Sequence, residues 1–479
     1  MTTTKLGRRS LAQILGVSAA AIPAGARAQA RGGVLVIGID ISDTITLDPV
    51  RQAQYTPPMT LAAVYDSLLT LEPGDYVNVR PSLATAWART PDGRGWRFTL
   101  RAGVKFSTGN VMTAEDVKFT FDRILNMREQ TQQYIKAVDR VEVVDAQTVD
   151  FIMNAPNAPI LPILANPGCG IMEKAVVVAQ GGVVAPAAKE TDRATDWLNG
   201  NSAGTGPFRL MRWERNNQIL LQRNPHYWGA ASPYERVVIR HLSFNLIPEQ
   251  ISTLRSEAAV RIERMPSLDF VYMAVTENAA ANPALAKKEV RHAIGHAIDY
   301  DSILGSMLGG AAQRPAHFLP IGVNGSTEAI ARQIGFNQDL DRARALLNTA
   351  GLGQGFEMEI AYGNAAVAGI TYQVLAQKLQ SDLARVGIRV RLNPMDQVNL
   401  RTLFTQGRQA GAVLTFWNPP AVCNDLWASA IVERVARRVH WTVPPEMPAL
   451  VQRASEEQDL ERAAALWVEW QRGVVDAAH

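Results

Sequence analysis

Three sets of residues in this sequence have the types and spacing to do chemistry. Gly200-Asn201-Ser202-Ala203-Gly204 fits G-x-S-x-G, the turn that presents a nucleophilic serine in hydrolases. That turn needs a buried strand before the serine and a helix after it. Here polar Asp196-Trp197-Leu198-Asn199 precedes and a strand-like run follows, so a secreted serine hydrolase using Ser202 is kept only as an alternative reading. His292 and His296 stand four apart on one predicted helix, a spacing that can hold a metal. No glutamate stands beside the first histidine as in the zinc-protease motif, and no third ligand is evident. A hydrogen-bonded or exposed pair is the simpler reading. Cys169 and Cys423 are the two cysteines. They have the chemistry to pair in an oxidising compartment, but nothing in the sequence places them together, and unpaired thiols are expected.

The elements that would position these residues begin after a distinct leader. Lys5, Arg8 and Arg9 precede an apolar run from Leu11 to about Ala24, and Ala26–Ala30 offers A-x-A cleavage sites after Ala28 or Ala30. Residues 1–30 therefore read as a signal peptide, its core too short to span a bilayer. The Arg8-Arg9 pair leaves both the twin-arginine and the general secretory route open, and no cysteine near the cleavage site would carry a lipid. This leader holds four of the 48 basic residues and none of the acids, leaving 44 against 45. The calculated basicity belongs to the leader, so nothing argues for nucleic-acid binding. Length predicts two or three domains.

Beyond the leader, Pro81–Arg123 is the richest stretch. Pro81–Trp87 reads as a short helical piece that runs into a Pro91-Asp92-Gly93 turn. Trp96, Phe98 and Leu100 alternate with Arg97, Thr99 and Arg101, the period of a half-buried strand. Thr113 with Asp116 three residues on predicts a capped helix carrying Val117, Phe119, Phe121 and Ile124. Gly33–Ile39, Val141–Val144 and Thr148–Ile152 read as strands, and residues 175–203 as a surface excursion. Gly204-Thr205-Gly206-Pro207 predicts a turn whose glycines supply positive φ, leading into a strand. A helix is expected from Val290 to near Gly309, another over Asp339–Gly351, and a third over Tyr372–Val386 leading into a strand at Gly387–Leu392. Helix–strand alternation of this kind argues α/β.

Several of these runs, in this order, resemble the family 5 extracellular solute-binding proteins, the peptide- and nickel-type receptors of bacterial ABC importers. The matching elements are Val64-Tyr65-Asp66-Ser67-Leu68-Leu69, PSLATAW, WRFTLRAGVKFSTG, TAEDVKFTFDRIL, GTGPF with RNPHYWG, and VRHAIGHAID. They span roughly Gly33 to Val474, with Tyr300 where a basic residue is usual. Tyr65 is expected in the core and Asp66 in a local cap or turn. The resemblance implies an α/β, two-lobed periplasmic binding protein (type II, cluster C-like) with an extra subdomain in the first lobe. The first lobe would run over 31–265 with its subdomain at about 60–185, and the second over 266–479. The implied function is the periplasmic substrate-binding component of an ABC importer. It would bind a peptide or similar polar solute and deliver it to the permease and ATPase complex of the inner membrane. It would act as a monomer, without cofactor, bond chemistry or nucleic acid.

The resemblance also implies where the solute sits. Peptide-binding relatives place an aromatic residue and, three positions on, an aspartate for the peptide amine. Trp417 matches the aromatic, but the third position on is Pro420, and Asp425 would serve only through a rearranged loop. Asn418 and Tyr55 are further ligand-binding candidates by their loop positions. A desolvated ammonium without a carboxylate partner is costly, so a peptide is less firmly implied than a solute; opines, sugars and metal chelates stay open. Two stretches are shorter than the family's pattern: Glu249–Pro266, and the end of the chain, where relatives return to the first lobe. A sheet with an open edge and a receptor of reduced stability, or a degenerate non-binding copy, are the expectations that follow.

Overall fold

The computed structural model describes residues 33–52, 56–154, 159–242, 248–258, 260–262, 267–417 and 422–478. The leader lies outside them. In the N-terminal half, strand β1 (Gly33–Ile39) and helix α1 (Pro57–Val64) precede the hairpin β2 (Leu69–Glu72) and β3 (Asp75–Pro81). Then come β4 (Ala84–Arg89), β5 (Gly95–Leu100), helix α2 (Ala114–Met127), β6 (Val138–Asp145) and β7 (Thr148–Met153). Strands β8 (Phe208–Glu214), β9 (Gln218–Arg223) and β10 (Tyr234–His241) follow. They make two four-stranded sheets, ordered β1-β10-β9-β8 and β4-β5-β7-β6. Strand β1 forms an edge of its sheet and exposes Val34 and Val36.

Capping and period decide these elements locally, and pairing decides where they are overruled. The Thr113 N–H donates to Asp116 Oδ2 at 2.9 Å, closing the start of α2, and Val117, Phe119, Phe121 and Ile124 are all buried. Residues Pro81–Trp87 correct the helical expectation. From Ala84 onward they form β4, with Trp87 opposite Phe98 in an antiparallel ladder. Helix propensity of the alanines is worth tenths of a kcal/mol per residue, less than a ladder with a buried face on Phe98 and Leu100. Residues 175–203 are the expected surface excursion only in part. Val177, Ala188, Ala194, Leu198 and Ala203 are fully buried, and Asp192 sits in the interior.

The C-terminal half contains β11 (Phe270–Val275), α3 (Lys288–Ala297), α4 (Leu340–Thr349) and β12 (Phe356–Gly363). A minimal hairpin, β13 (Ala366–Val367) and β14 (Ile370–Thr371), leads to α5 (Tyr372–Ala384) and β15 (Ile388–Met395). The chain continues through α6 (Gln397–Thr405), β16 (Ala412–Trp417), α7 (Asn424–Ala430), α8 (Glu446–Glu456) and α9 (Leu460–Ala477). Its sheet, β11-β16-β12-β15, is covered on both faces. Ile360, Ala412 and Leu414 pack with α3, α4 and α5, while Ala361 and Val413 pack with α6 to α9. Helix α3 stops at Ala297 rather than near Gly309. Ile298 is extended, the Asp299 N–H donates to Asp382 at 3.1 Å, and Asp299 Oδ1 caps the next turn through Ser302.

The two halves touch directly. The Tyr76 N–H donates to the Gly322 carbonyl at 3.4 Å, Arg89 donates to Gln458 at 2.9 Å, and Cys423 is buried in the N-terminal core. Both cysteines are free and buried, and burial pushes each thiol up to about 12.

Candidate solute site

Two junctions hold the N-terminal half in shape. At the first, Asp66 Oδ2 accepts from Thr205 Oγ1 and from Trp228 Nε1, both at 2.8 Å. Its partners stand 139 and 162 residues away, so it joins three sequence motifs instead of making the expected local cap. Burial pushes its carboxyl pKa up, against the pull of those two hydrogen bonds. Gly204 and Gly206 serve this junction by closeness and not by positive φ: a Cβ would lie 2.2 Å from the Val64 carbonyl oxygen at Gly204 and 2.6 Å from the Val64 carbon at Gly206. At the second junction, Arg123 is fully buried and forked onto Asp48 (2.8 and 2.7 Å) and Asp192 (2.9 Å twice). Thr195 Oγ1 and the Val183 and Ala194 N–H groups complete the carboxylates' hydrogen bonds. Burial would raise the Asp192 carboxyl, but the Arg123 contacts outweigh it and hold the group below its ordinary value.

The C-terminal half carries an aromatic wall where β11 and β16 run side by side. Trp417, the last residue of β16, pairs with Phe270. Phe318 lies edge-on to Phe270 (5.2 Å), Tyr272 (4.8 Å) and Trp417 (6.3 Å). Phe404 of α6 approaches Tyr272 at 6.3 Å. His317 lies tilted against Phe318 at 4.6 Å, and its buried Nδ1 has no partner among the described residues. Burial pushes its pKa down to about 3, so the ring is neutral. The helical run that starts with α7 continues to Val439 and lays Arg434 over Trp417 at 5.6 Å and Arg438 over Phe404 at 5.2 Å.

Asp425 belongs to a different face of that same run. Its Oδ1 accepts from Ser429 at 3.2 Å and from Ser455 of α8 at 3.3 Å. It lines a cavity of about 310 Å³ with Glu433, Gln452 and Glu456, and Pro159 from the N-terminal half is also on its lining. A larger recess, about 610 Å³, runs along β12 and β15. Its Arg389 and Arg391 are paired to Glu357 and Glu359, which leaves little charge there for a ligand.

The family model for bacterial extracellular solute-binding proteins, family 5 Middle, matches residues 78–430. The chain belongs to this family. A probable D,D-dipeptide-binding periplasmic protein of Escherichia coli is 28% identical over 406 residues, covering 81% of this chain and 75% of that protein. Among solved structures, the substrate-binding protein CtaP of Listeria monocytogenes superposes with a TM-score of 0.78 at 20% identity, covering 94% of this chain and 91% of that one. NikA of Brucella suis in complex with Fe(III)-EDTA superposes at 0.73 and 21%, covering 92% of each. At these identities the likeness is one of fold, and the fold is that of periplasmic binding proteins.

In this family 5 protein the remaining sequence candidates fall as follows. Tyr55 and Asn418 lie outside the described residues, as does Pro420. Ser202 accepts the Leu210 N–H at 3.2 Å, in a loop that leads into a strand and not a helix. His292 bonds the Asp476 carbonyl at 2.8 Å and His296 the Asn337 carbonyl at 2.9 Å, with Phe336 edge-on to both rings. Among the described residues no group of three or more His, Cys, Asp or Glu side chains is placed to hold a metal, and no helix is long and apolar enough to cross a membrane. Sequence reasoning missed Arg434 and Arg438. Their four-residue spacing on a helical run just after Trp417 was the available signal.

Proposed function

We propose that the chain is the exported substrate-binding component of an ABC importer, taking up a peptide or similar polar solute. The observation that carries this is the aromatic wall ending in Trp417, on a sheet of the C-terminal half, with Cys423, six positions on, buried in the N-terminal core. The match over residues 78–430 and the peptide-binding relative support it. In this reading residues 1–30 direct export to the periplasm, residues 31–265 form a first lobe and 266–479 a second. The solute lies between them against Trp417, with Asn418 and Tyr55 as further ligand candidates; Asp425, bonded to Ser429 and Ser455, faces the other cavity. Closure follows because a ligand touching both lobes favours the closed form. The monomer then docks on an inner-membrane permease and ATPase complex. No step needs bond chemistry.

Thermal melts of residues 31–479 with pools of di- to pentapeptides test this. A dose-dependent rise in midpoint is expected, since a ligand that binds only the folded state stabilises it. A cooperative melt that no peptide moves would sink the peptide reading.

A further inference from the structure

Several arginines in this chain are matched by acids within the fold. Arg97 forks onto Asp150, Arg123 onto two aspartates, Arg391 onto Glu359 and Arg462 onto Glu457. Three arginines around the aromatic wall are not. Among the described residues, Arg401, Arg434 and Arg438 have no carboxylate within ion-pair distance, and none of their guanidinium N–H groups has a hydrogen-bond acceptor. Each guanidinium offers five donors in a planar fork matched to a carboxylate. These three and Arg437 repel one another: burial pulls the half-buried Arg438 down most, and Arg434, Arg401 and Arg437 lower it further.

We propose that Arg434 and Arg438 form an anion subsite that holds a carboxylate of the solute against Trp417 and Tyr272. This rests on the solute-receptor reading above and gives it a charge. The two residues are one helical turn apart, each already laid on a ring of the wall, at 5.6 and 5.2 Å. A ring contact at that distance leaves the guanidinium edges free. An anion there relieves the repulsion among the arginines and finds pre-oriented donors. The chemistry also accounts for Pro420 at the position where an acid was expected: the solute is anchored by its anionic end, not by its amine.

The test uses residues 31–479, calorimetric titration and four probes: a dipeptide, its C-terminal amide, indole-3-propionate and its amide. The expected result is free acid over amide by about tenfold or more. Arg434→Gln/Arg438→Gln abolishes that preference and leaves amide binding alone, while Arg472→Gln on the exposed face of α9 changes nothing. Arg434→Gln alone, at an exposed position, gives the same direction if the double variant does not fold. Acid and amide binding alike, or a preference that survives the variants, overturns the subsite while the receptor reading stands. If only the indole acid binds, and does so through these arginines, the peptide reading falls and the subsite stands. If no probe binds, both fall.

Discussion

Arg123 and Arg434 are the same residue put to opposite uses. Arg123 is sealed in the N-terminal core, making four hydrogen bonds to Asp48 and Asp192, 75 and 69 residues distant, and one to the Met172 sulfur. Arg434 stands at the edge of an aromatic wall with a ring on one side and no acceptor among the described residues. A buried cation without compensating acids costs several kcal/mol, so Arg123 must be matched from within the fold. An exposed one is solvated and stays available. The difference separates residues that hold the receptor together from residues positioned to hold something else.

The comparison breaks most readily at Arg123. Arg123→Met leaves two buried carboxylates unpaired and is expected to cost about 3–5 kcal/mol in urea denaturation; a loss under 1 kcal/mol would mean the network is not structural. Gly204→Ala drives a methyl into the Val64 carbonyl and is expected to cost about 1–3 kcal/mol, read by the same measurement. Acid sharpens the contrast further. Asp192 has a folded pKa held below its ordinary 3.8, so its contribution is present above about pH 4 and fades as pH falls through the folded value. The stability gap between wild type and Asp192→Asn is therefore widest near neutrality and narrows toward pH 3. Asp66, raised by burial, works in the opposite sense: its contribution is fullest below 3.8 and is lost as pH rises through the raised value. A gap for Asp192→Asn that is flat from pH 3 to 7 would argue against the assignment. By contrast Arg434→Gln should move stability by no more than about 0.5 kcal/mol, however much it changes binding. The smallest signal is chemical: Cys169 and Cys423, buried and pushed up to about 12, stay unreactive to a thiol reagent until urea unfolds the chain.

Much of the architecture was legible in the residues. The alternation over Trp96–Arg101, the Thr113/Asp116 box, the helix within Asp339–Gly351 and the helix-to-strand run from Tyr372 to Leu392 all form the expected elements. The failures share a cause. Ala84-Thr85-Ala86-Trp87 carries helical propensity but meets a strand partner only in three dimensions. Residues 175–203 look like surface because their apolar residues are small, yet they fill the space beside α2. For the site, Trp417 came from a motif. The arginines beside it, and the carboxylate-lined cavity that took Asp425 to another face of the same helical run, did not.

The sequence by itself determined most of the helices and strands, the α/β class and the family, because capping, hydrophobic period and ordered motifs act within a few residues. Only the tertiary structure decided who answers whom. Asp66 meets Thr205 and Trp228, Arg123 meets Asp48 and Asp192, and Gly204 is needed for closeness to Val64 and not for its φ. Hydrogen bonds and ion pairs reach only a few ångströms. Which distant residues come within that reach is set by how the sheets and helices pack, and one segment's pattern does not contain its partner's position.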